Sequence, residues 1–314
     1  MNDRHVYVMF TMDVEIVSGG ATASGPGSNA EGAQRVREYM EVLGEHGLTP
    51  TFFVDPQLGP EQAGLFLDLR RRGAEVGMHI HAAKFSQDGR RDELGALNAA
   101  EQRAMLQRGL DLFERHFQFR PRIFRPGCFS ANDHTYGVLA ELGFEGGSIS
   151  IPGRVWLERY CEWSGAMPHP HYANAAMRQY PGCLPFVEIP LSVDRSQLRR
   201  HPLGFDYYFD LRPGDVYQSE NVVFRDHRQV LENIVRQLAE EKPLLKTIVI
   251  DVHNDRDFRD LSTAPARHLQ TILENLSPVL SAHGLAMANA TYSEAIRLYR
   301  SLAGDPPRAV GSGR

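Results

Sequence analysis

The chain has 314 residues, is 42% hydrophobic and 23% charged, and carries a formal charge of −5. This composition can build a sizeable core and argues against a general nucleic-acid binder, a class that no basic run restores. The three cysteines, Cys128, Cys161 and Cys183, are too scattered for a disulfide framework or a zinc ribbon. No run of about 18 apolar residues occurs, so no membrane helix is expected. "MNDRHVYVMFTMDVE" has no charged segment leading into a long apolar one, so the expectation is a reduced, cytoplasmic protein with no membrane partner.

In chain order, "HVYVMFTMDVE" reads as a first strand. "AEGAQRVREYMEVLGEHG" reads as a helix with Val36, Tyr39, Met40 and Leu43 on one face and Gly47 as its stop. "TPTFFVD" is a strand, "GPEQAGLFLDLRRRG" a helix opened by Pro60, and "AEVGMHIH" a strand. "NAAEQRAMLQRGLDLFERHF" is a helix and "RIFRPG" a strand. "NDHTYGVLAELG" is a helix with Asn132 as its cap. "FEGGSISI" and "CLPFVEIPLSV" are strands, followed by the helix "DHRQVLENIVRQLAEEK" and the strand "LKTIVIDVH". The helix "PARHLQTILENLSPVLSAHG" and a short strand "LAMANAT" complete the pattern.

Alternating strands and helices imply a parallel sheet with helices outside, and seven or eight strands without a linker favour a closed or nearly closed barrel. One α/β domain over residues 1–302 is expected, with long loop insertions near 152–185 and 195–225 and a disordered tail at 303–314. Both insertions are rich in aromatic residues, which disfavours disorder and suggests function. "SGGATASGPGSN", residues 18 to 29, is Gly-rich but lacks the context of a nucleotide-binding loop and reads as a flexible loop near the site.

In α/β barrels the site lies at the carboxyl ends of the strands. Those ends carry Asp13 and Glu15, then His79 and His81, Arg125, Glu188, and finally Asp251, His253 and Asp255. Residues i and i+2 of a strand share a face, so each pair can converge. Two imidazoles and one carboxylate make a three-ligand set that leaves a position open, the pattern of a catalytic metal site. Non-haem iron uses the same set, so the ligands alone do not choose the metal. The remaining carboxylate can then act as base, His253 as acid, and Arg125 can keep a buried carboxylate ionised.

Taken in order, "TMDVE", "EVGMHIH", "RIFRPG", "VEIP" and "IVIDVH" resemble the motifs of the polysaccharide deacetylase superfamily (NodB homology, carbohydrate esterase family four). The resemblance runs from about residue 6 to 295 and includes "HGLTPTFFVD" and "VLAELGFEGGSIS". It implies a distorted (β/α)7 barrel, a divalent metal, and hydrolysis of an N-acyl group from an amino sugar. Asp13 matches the base of the first motif, Arg125 the Arg-Pro motif, and His253 the last motif. The chain departs from the family pattern at three places. Val14 stands where the second Asp is usual, so Glu15 takes the ligand role. Ala83 stands where the second His is usual, so His81 replaces it. The fourth motif's Asp-Trp pair is not evident. These departures make a chitin- or peptidoglycan-type substrate doubtful.

The implied chemistry is amide hydrolysis by a metal-bound water. Glu15, His79 and His81 hold zinc, or cobalt, nickel, iron or manganese; Asp13 is the base, Arg125 orients it, and His253 is the acid. Asp251 and Glu188 stand behind these groups. Trp156, Trp163, His171, Tyr207 and Tyr208 are candidate substrate contacts, whereas Cys128 reads as inert packing. His169 and His171 repeat the H-x-H spacing between prolines, where no strand is expected to align them. The expected partner is a small N-acylated amino sugar. Rival readings are a cyclic-imide or ureide hydrolase of the same superfamily, an amidohydrolase-type barrel, and a non-catalytic sugar-binding relative.

Overall fold

The computed structural model describes residues 4–17, 25–86, 89, 92–214 and 226–306. Seven parallel strands form a curled sheet: β1 (His5–Val14), β2 (Pro50–Val54), β3 (Glu75–Ile80), β4 (Ile123–Pro126), β5 (Gly146–Gly147), β9 (Val187–Glu188) and β12 (Thr247–His253). The order is β12-β1-β2-β3-β4-β5-β9, with the short β8 (His171–Tyr172) antiparallel on the outer edge of β9. Among the described residues no strand ladder joins β9 to β12. Ser192 bridges that seam, its Oγ accepting from Val249 N at 2.9 Å. The barrel is therefore strongly curled but laced on one side by a side chain. β13 (Ala286–Asn289) adds to the amino-terminal half of β1.

The burial of β1 and β2 explains why their sequences are apolar runs rather than alternating ones: β2 is buried at every position, as a sheet covered on both faces requires. Helices α1 (Asn29–Glu45), α2 (Gly59–Arg71), α4 (Ala99–Phe117), α5 (Thr135–Glu141), α6 (His227–Glu241), α7 (Ala264–Ala282) and α8 (Tyr292–Ala303) surround it, with the single turn α3 (Ala82–Phe85) after β3. Local signals fix their starts. Ser28 caps α1, and Asn98 with Glu101 forms a capping box on α4, a device that stabilises by about 1 kcal/mol. On α4, Phe113 stacks on Phe117 at 4.3 Å, and both rings are fully buried. Each such ring contributes about 1.5–3 kcal/mol of apolar burial.

The sequence reading needs correction at four places. Asn132 does not cap α5: the cap position is His134, without a side-chain bond, and Asn132 instead accepts from His134 N in the preceding turn. "CLPFVEIPLSV" holds only the short strand β9, and β10 (Val193–Arg200) begins at its last residue, after Ile189–Ser192, a segment containing Pro190. Helix α8 was not anticipated. The two insertions are not loops: β6 (Val155–Trp156), β7 (Cys161–Glu162), β10 and β11 (Asp206–Asp210) form one four-stranded antiparallel sheet, joined where Asp206 pairs with Val155. Parts of three predicted segments, residues 18–24, 215–225 and 307–314, lie outside the described residues.

Candidate active site

Strand register brings the charged residues together. His253 of β12 sits opposite Asp13 of β1, Asp251 opposite Thr11, and Arg125 of β4 opposite His79 of β3. Glu15 and His81 each fall one residue beyond their strands, at the same carboxyl end. Asn254 fixes Glu15 through its backbone, accepting from Glu15 N at 3.0 Å and donating to Glu15 O at 3.1 Å.

Around the Glu15 carboxylate, Oε1 lies 3.1 Å from His81 Nε2, 3.9 Å from His79 Nε2 and 3.6 Å from His253 Nε2. Glu15, His79 and His81 are buried, and their ligand atoms lie within 4.8 Å of one another. Both ring nitrogens of His79 are buried without a hydrogen-bond partner among the described residues. A buried imidazole with neither nitrogen satisfied costs on the order of 1–3 kcal/mol per group. An ion on this donor set would relieve that cost, and one carboxylate with two imidazoles suits a divalent ion. Burial and the neighbouring His81 hold His79 neutral, well below its usual pKa, which is the protonation state a ligand needs. Burial would raise Glu15, yet His81, His253 and Lys84 outweigh it and hold the carboxyl well below its usual range.

Behind Glu15, one guanidinium serves two carboxylates. Arg125 Nη1 donates to Asp13 Oδ1 at 2.8 Å, Asp251 Oδ1 at 2.7 Å and Thr11 Oγ1 at 2.9 Å. Arg125 is fully buried and lies over the Phe53 ring at 4.3 Å. Burial raises Asp13 to about 6 against the pull of Arg125, so near neutrality it remains an acceptor of moderate basicity. Asp251 Oδ2 accepts from Arg212 at 3.0 Å. Burial would lower His253, but Asp251, Glu15 and Asp13 outweigh it and raise its pKa. The His253 side chain is 22% exposed, the most open of these groups and the one able to face a substrate.

Of the other predicted residues, Glu188 is buried away from the carboxylate cluster and accepts from Ile149 N, Ser150 N and Ser150 Oγ. Trp156, Tyr207 and Tyr208 are half-buried on the inserted sheet; Trp156 stacks on Phe205 at 4.6 Å. Trp163 is corrected: it is fully buried, its Nε1 donates to Phe129 O at 2.8 Å, and it has no face for a ligand. His171 is likewise corrected: it is strand-aligned in β8 and buried, with Nδ1 2.8 Å from His169 O. His169 sits at the surface against Glu241, and Asp255 pairs with the adjacent Arg256.

Sequence reasoning missed Lys84, whose Nζ lies 2.5 Å from Glu15 Oε2, and Glu93, 3.1 Å from His81 Nδ1. It also missed Asn254, Arg212 and Asp55, the last buried at the end of β2 and raised by burial to about 6. Asn254 follows directly on "IDVH" and Asp55 ends "FFVD", so both were findable as polar residues at strand ends. Glu93 and Arg212 come from connecting segments and carried no periodic signal.

The fold is that of the polysaccharide deacetylases. Residues 24–147 match the family model described as polysaccharide deacetylase, a stretch that holds His79, His81 and Arg125 but not Asp13, Glu15 or His253. No curated protein matches the chain. Among solved structures, it is similar to a Mycobacterium smegmatis protein provisionally named a polysaccharide deacetylase, at 18% identity and TM-score 0.59, covering 99% of this chain and 95% of that one. It is also similar to PuuE allantoinase, at 12% identity and TM-score 0.61, covering 96% and 92%. A protein from Pseudomonas aeruginosa PAO1, named a probable polysaccharide deacetylase, matches at 13% identity and TM-score 0.60, covering 95% and 92%. At these identities the likeness is one of fold.

Proposed function

We propose that this chain is a metal-dependent hydrolase that removes an N-acyl group, in the first place N-acetyl, from a small amino-sugar-type substrate. The observation that carries the reading is the convergence of Glu15, His79 and His81, with both nitrogens of a buried His79 unsatisfied. A divalent ion held by these three residues would polarise the amide carbonyl and make a bound water more acidic. The chain's own groups do the rest. Asp13, held by Arg125, takes the proton from the attacking water. The raised pKa of His253 favours its protonated form, which can give a proton to the departing amine. Asp251 steadies that charge while being fixed by Arg125 and Arg212.

A small substrate is inferred from the inserted sheet. Both insertions follow carboxyl ends of barrel strands and pair with each other; set against the mouth, their sheet would wall it with Trp156, Tyr207 and Tyr208. Such a wall favours one or a few rings over a long polymer. A second reading has an observation of its own. The chain shares its fold with an allantoinase as fully as with the deacetylases, which favours a cyclic-imide or ureide hydrolase on the same groups.

The test is purification followed by metal analysis and a substrate panel. About one divalent ion per chain is expected, zinc first, with acetate released from N-acetyl monosaccharide derivatives faster than from chitin oligomers. Ring-opening of ureides without acetate release would select the second reading. Rates that climb with polymer length would defeat the walled pocket. Within the site, Asp13→Asn is expected to retain the ion while kcat falls by roughly 10²–10⁴, whereas Glu15→Ala loses ion and activity together. The reverse pattern would exchange the roles of the two carboxylates.

A further inference from the structure

The two imidazoles of the proposed ligand set are not held alike. His79 has no hydrogen-bond partner on either nitrogen among the described residues: Asp13 Oδ2 stands 3.8 Å from Nδ1 and Glu15 Oε1 3.9 Å from Nε2. His81 is gripped on both sides: Nε2 lies 3.1 Å from Glu15 Oε1 and Nδ1 lies 3.1 Å from Glu93 Oε1. Glu93 is 4% exposed and stands before the 3-10 turn Leu94–Ala96, well outside the strands that supply the site. We propose that Glu93 is the positioning residue of His81: it accepts the Nδ1 proton and thereby aims the Nε2 lone pair at the space shared by Glu15 and His79. The inference rests on the ligand set of the proposed function and names the group that makes an off-pattern ligand usable.

The backbone around His81 is shaped to the same end. A Cβ at Gly127 would come within 2.2 Å of His81 Nδ1 and 2.3 Å of its Cγ, so only glycine lets the ring lie against that loop. The next two residues, Cys128 and Phe129, take φ of 55° and 53°, left-handed values that cost non-glycine residues about 1 kcal/mol or more each. The turn places Cys128 Sγ 3.9 Å from Glu93 Oε1, the same oxygen that faces His81 Nδ1. A strained loop, an obligatory glycine and a buried acid thus all meet one imidazole ring. A metal-ligating histidine whose other nitrogen is bonded to a carboxylate keeps one tautomer and one ring orientation. Because His81 follows its strand rather than lying within it, the β3 ladder cannot supply that orientation.

The experiment uses the full chain as wild type, Glu93→Gln and Glu93→Ala, each stripped of metal and titrated with zinc against a chromophoric chelator. Zinc affinity is expected to fall roughly 10–100-fold in Glu93→Ala, and less in Glu93→Gln, whose amide oxygen still accepts the Nδ1 proton. The second readout is the His81 Nδ1–H resonance in nitrogen-15-labelled, metal-free protein. It is expected downfield and slow to exchange in wild type, and lost in Glu93→Ala. Should Glu93→Ala misfold, the shift of this resonance in Glu93→Gln carries the test. Unchanged zinc affinity in Glu93→Ala together with a retained resonance would overturn the proposal. So would two zinc ions per chain falling to one in Glu93→Ala, since Glu93 would then be a ligand of a second ion with Cys128 and the His81 Nδ1. If wild type takes up no zinc, the ligand set fails, and the resonance still decides whether Glu93 holds His81.

Discussion

The chain contains H-x-H twice, at His79/His81 and at His169/His171, and the two copies end in opposite states. At the barrel mouth His81 lies against Glu15, and without an ion between them their pKa values move apart into a charged pair. Burial opposes charge on both, but mutual contact outweighs it, raising His81 and lowering Glu15. In the insertion, His171 is the register partner of Glu188, yet their side chains bond elsewhere: His171 to His169 O, Glu188 to Ile149 and Ser150. Burial there outweighs those hydrogen bonds, lowering His171 to about 4 and raising Glu188 to about 7. Identical spacing therefore says little by itself. A site needs the i and i+2 side chains to face one carboxylate, as His79 and His81 both face Glu15 at the end of β1.

The broadest way to break this contrast is to delete one ring of each pair. His81→Ala is expected to lose the bound ion and bring hydrolysis to background. His171→Ala is expected to keep the ion and lose about 1–3 kcal/mol of stability, the ordinary cost of emptying a buried position. Elemental analysis beside denaturant melts of both variants makes the check. A His81→Ala protein as metal-rich as wild type would erase the distinction between the two copies.

How much of this was legible follows the same logic. Periodicity located the strands, and the carboxyl-end rule then picked out Asp13, His79, Arg125 and His253, whose directions a strand ladder fixes, and Glu15 and His81, which stand one residue past the strand ends. The inserted sheet was not legible. Its pairing of Val155 with Asp206 joins segments about fifty residues apart, and such non-local pairing leaves no local pattern. Trp163 was misread because aromatic content marks a sugar platform and a core equally well. Glu93 was invisible because its value lies in one contact with His81, made from a connecting segment with no period to read.

The contrast is sharpened next by pH. Glu188 has a folded pKa of about 7, raised by burial, against an unfolded value of about 4.3. A raised folded pKa means the native state holds the proton more tightly. Its stabilising contribution is full below pH 4.3 and is lost as pH rises through about 7, up to about 3 kcal/mol in total. Glu188→Gln cannot titrate. The stability difference between wild type and Glu188→Gln, measured by urea unfolding, should therefore shift against wild type from pH 4.5 to 8. A flat difference would mean that the donors from Ile149 and Ser150 keep Glu188 ionised, as Glu15 is, and the opposition between the two regions would vanish.

The smallest effect is expected at His169. Its Nε2 lies 2.5 Å from Glu241 Oε2, a contact as short as any at the mouth, and a reader of distances alone would rank it highly. Three facts argue otherwise. The Glu241 side chain is 37% exposed, so water competes for its charge. Burial lowers the pKa of His169 despite Glu241, so the ring is mostly neutral at pH 7 and the contact is a hydrogen bond more than an ion pair. Arg195 Nη2 also donates to both Glu241 oxygens at 2.6 Å, so removing the imidazole does not strand the carboxylate. His169→Ala should cost about 0–1 kcal/mol, with metal content and turnover unchanged. A loss above about 2 kcal/mol would show that the surface pair anchors the insertion to α6, and that the second H-x-H has a structural task which the spacing alone does not reveal.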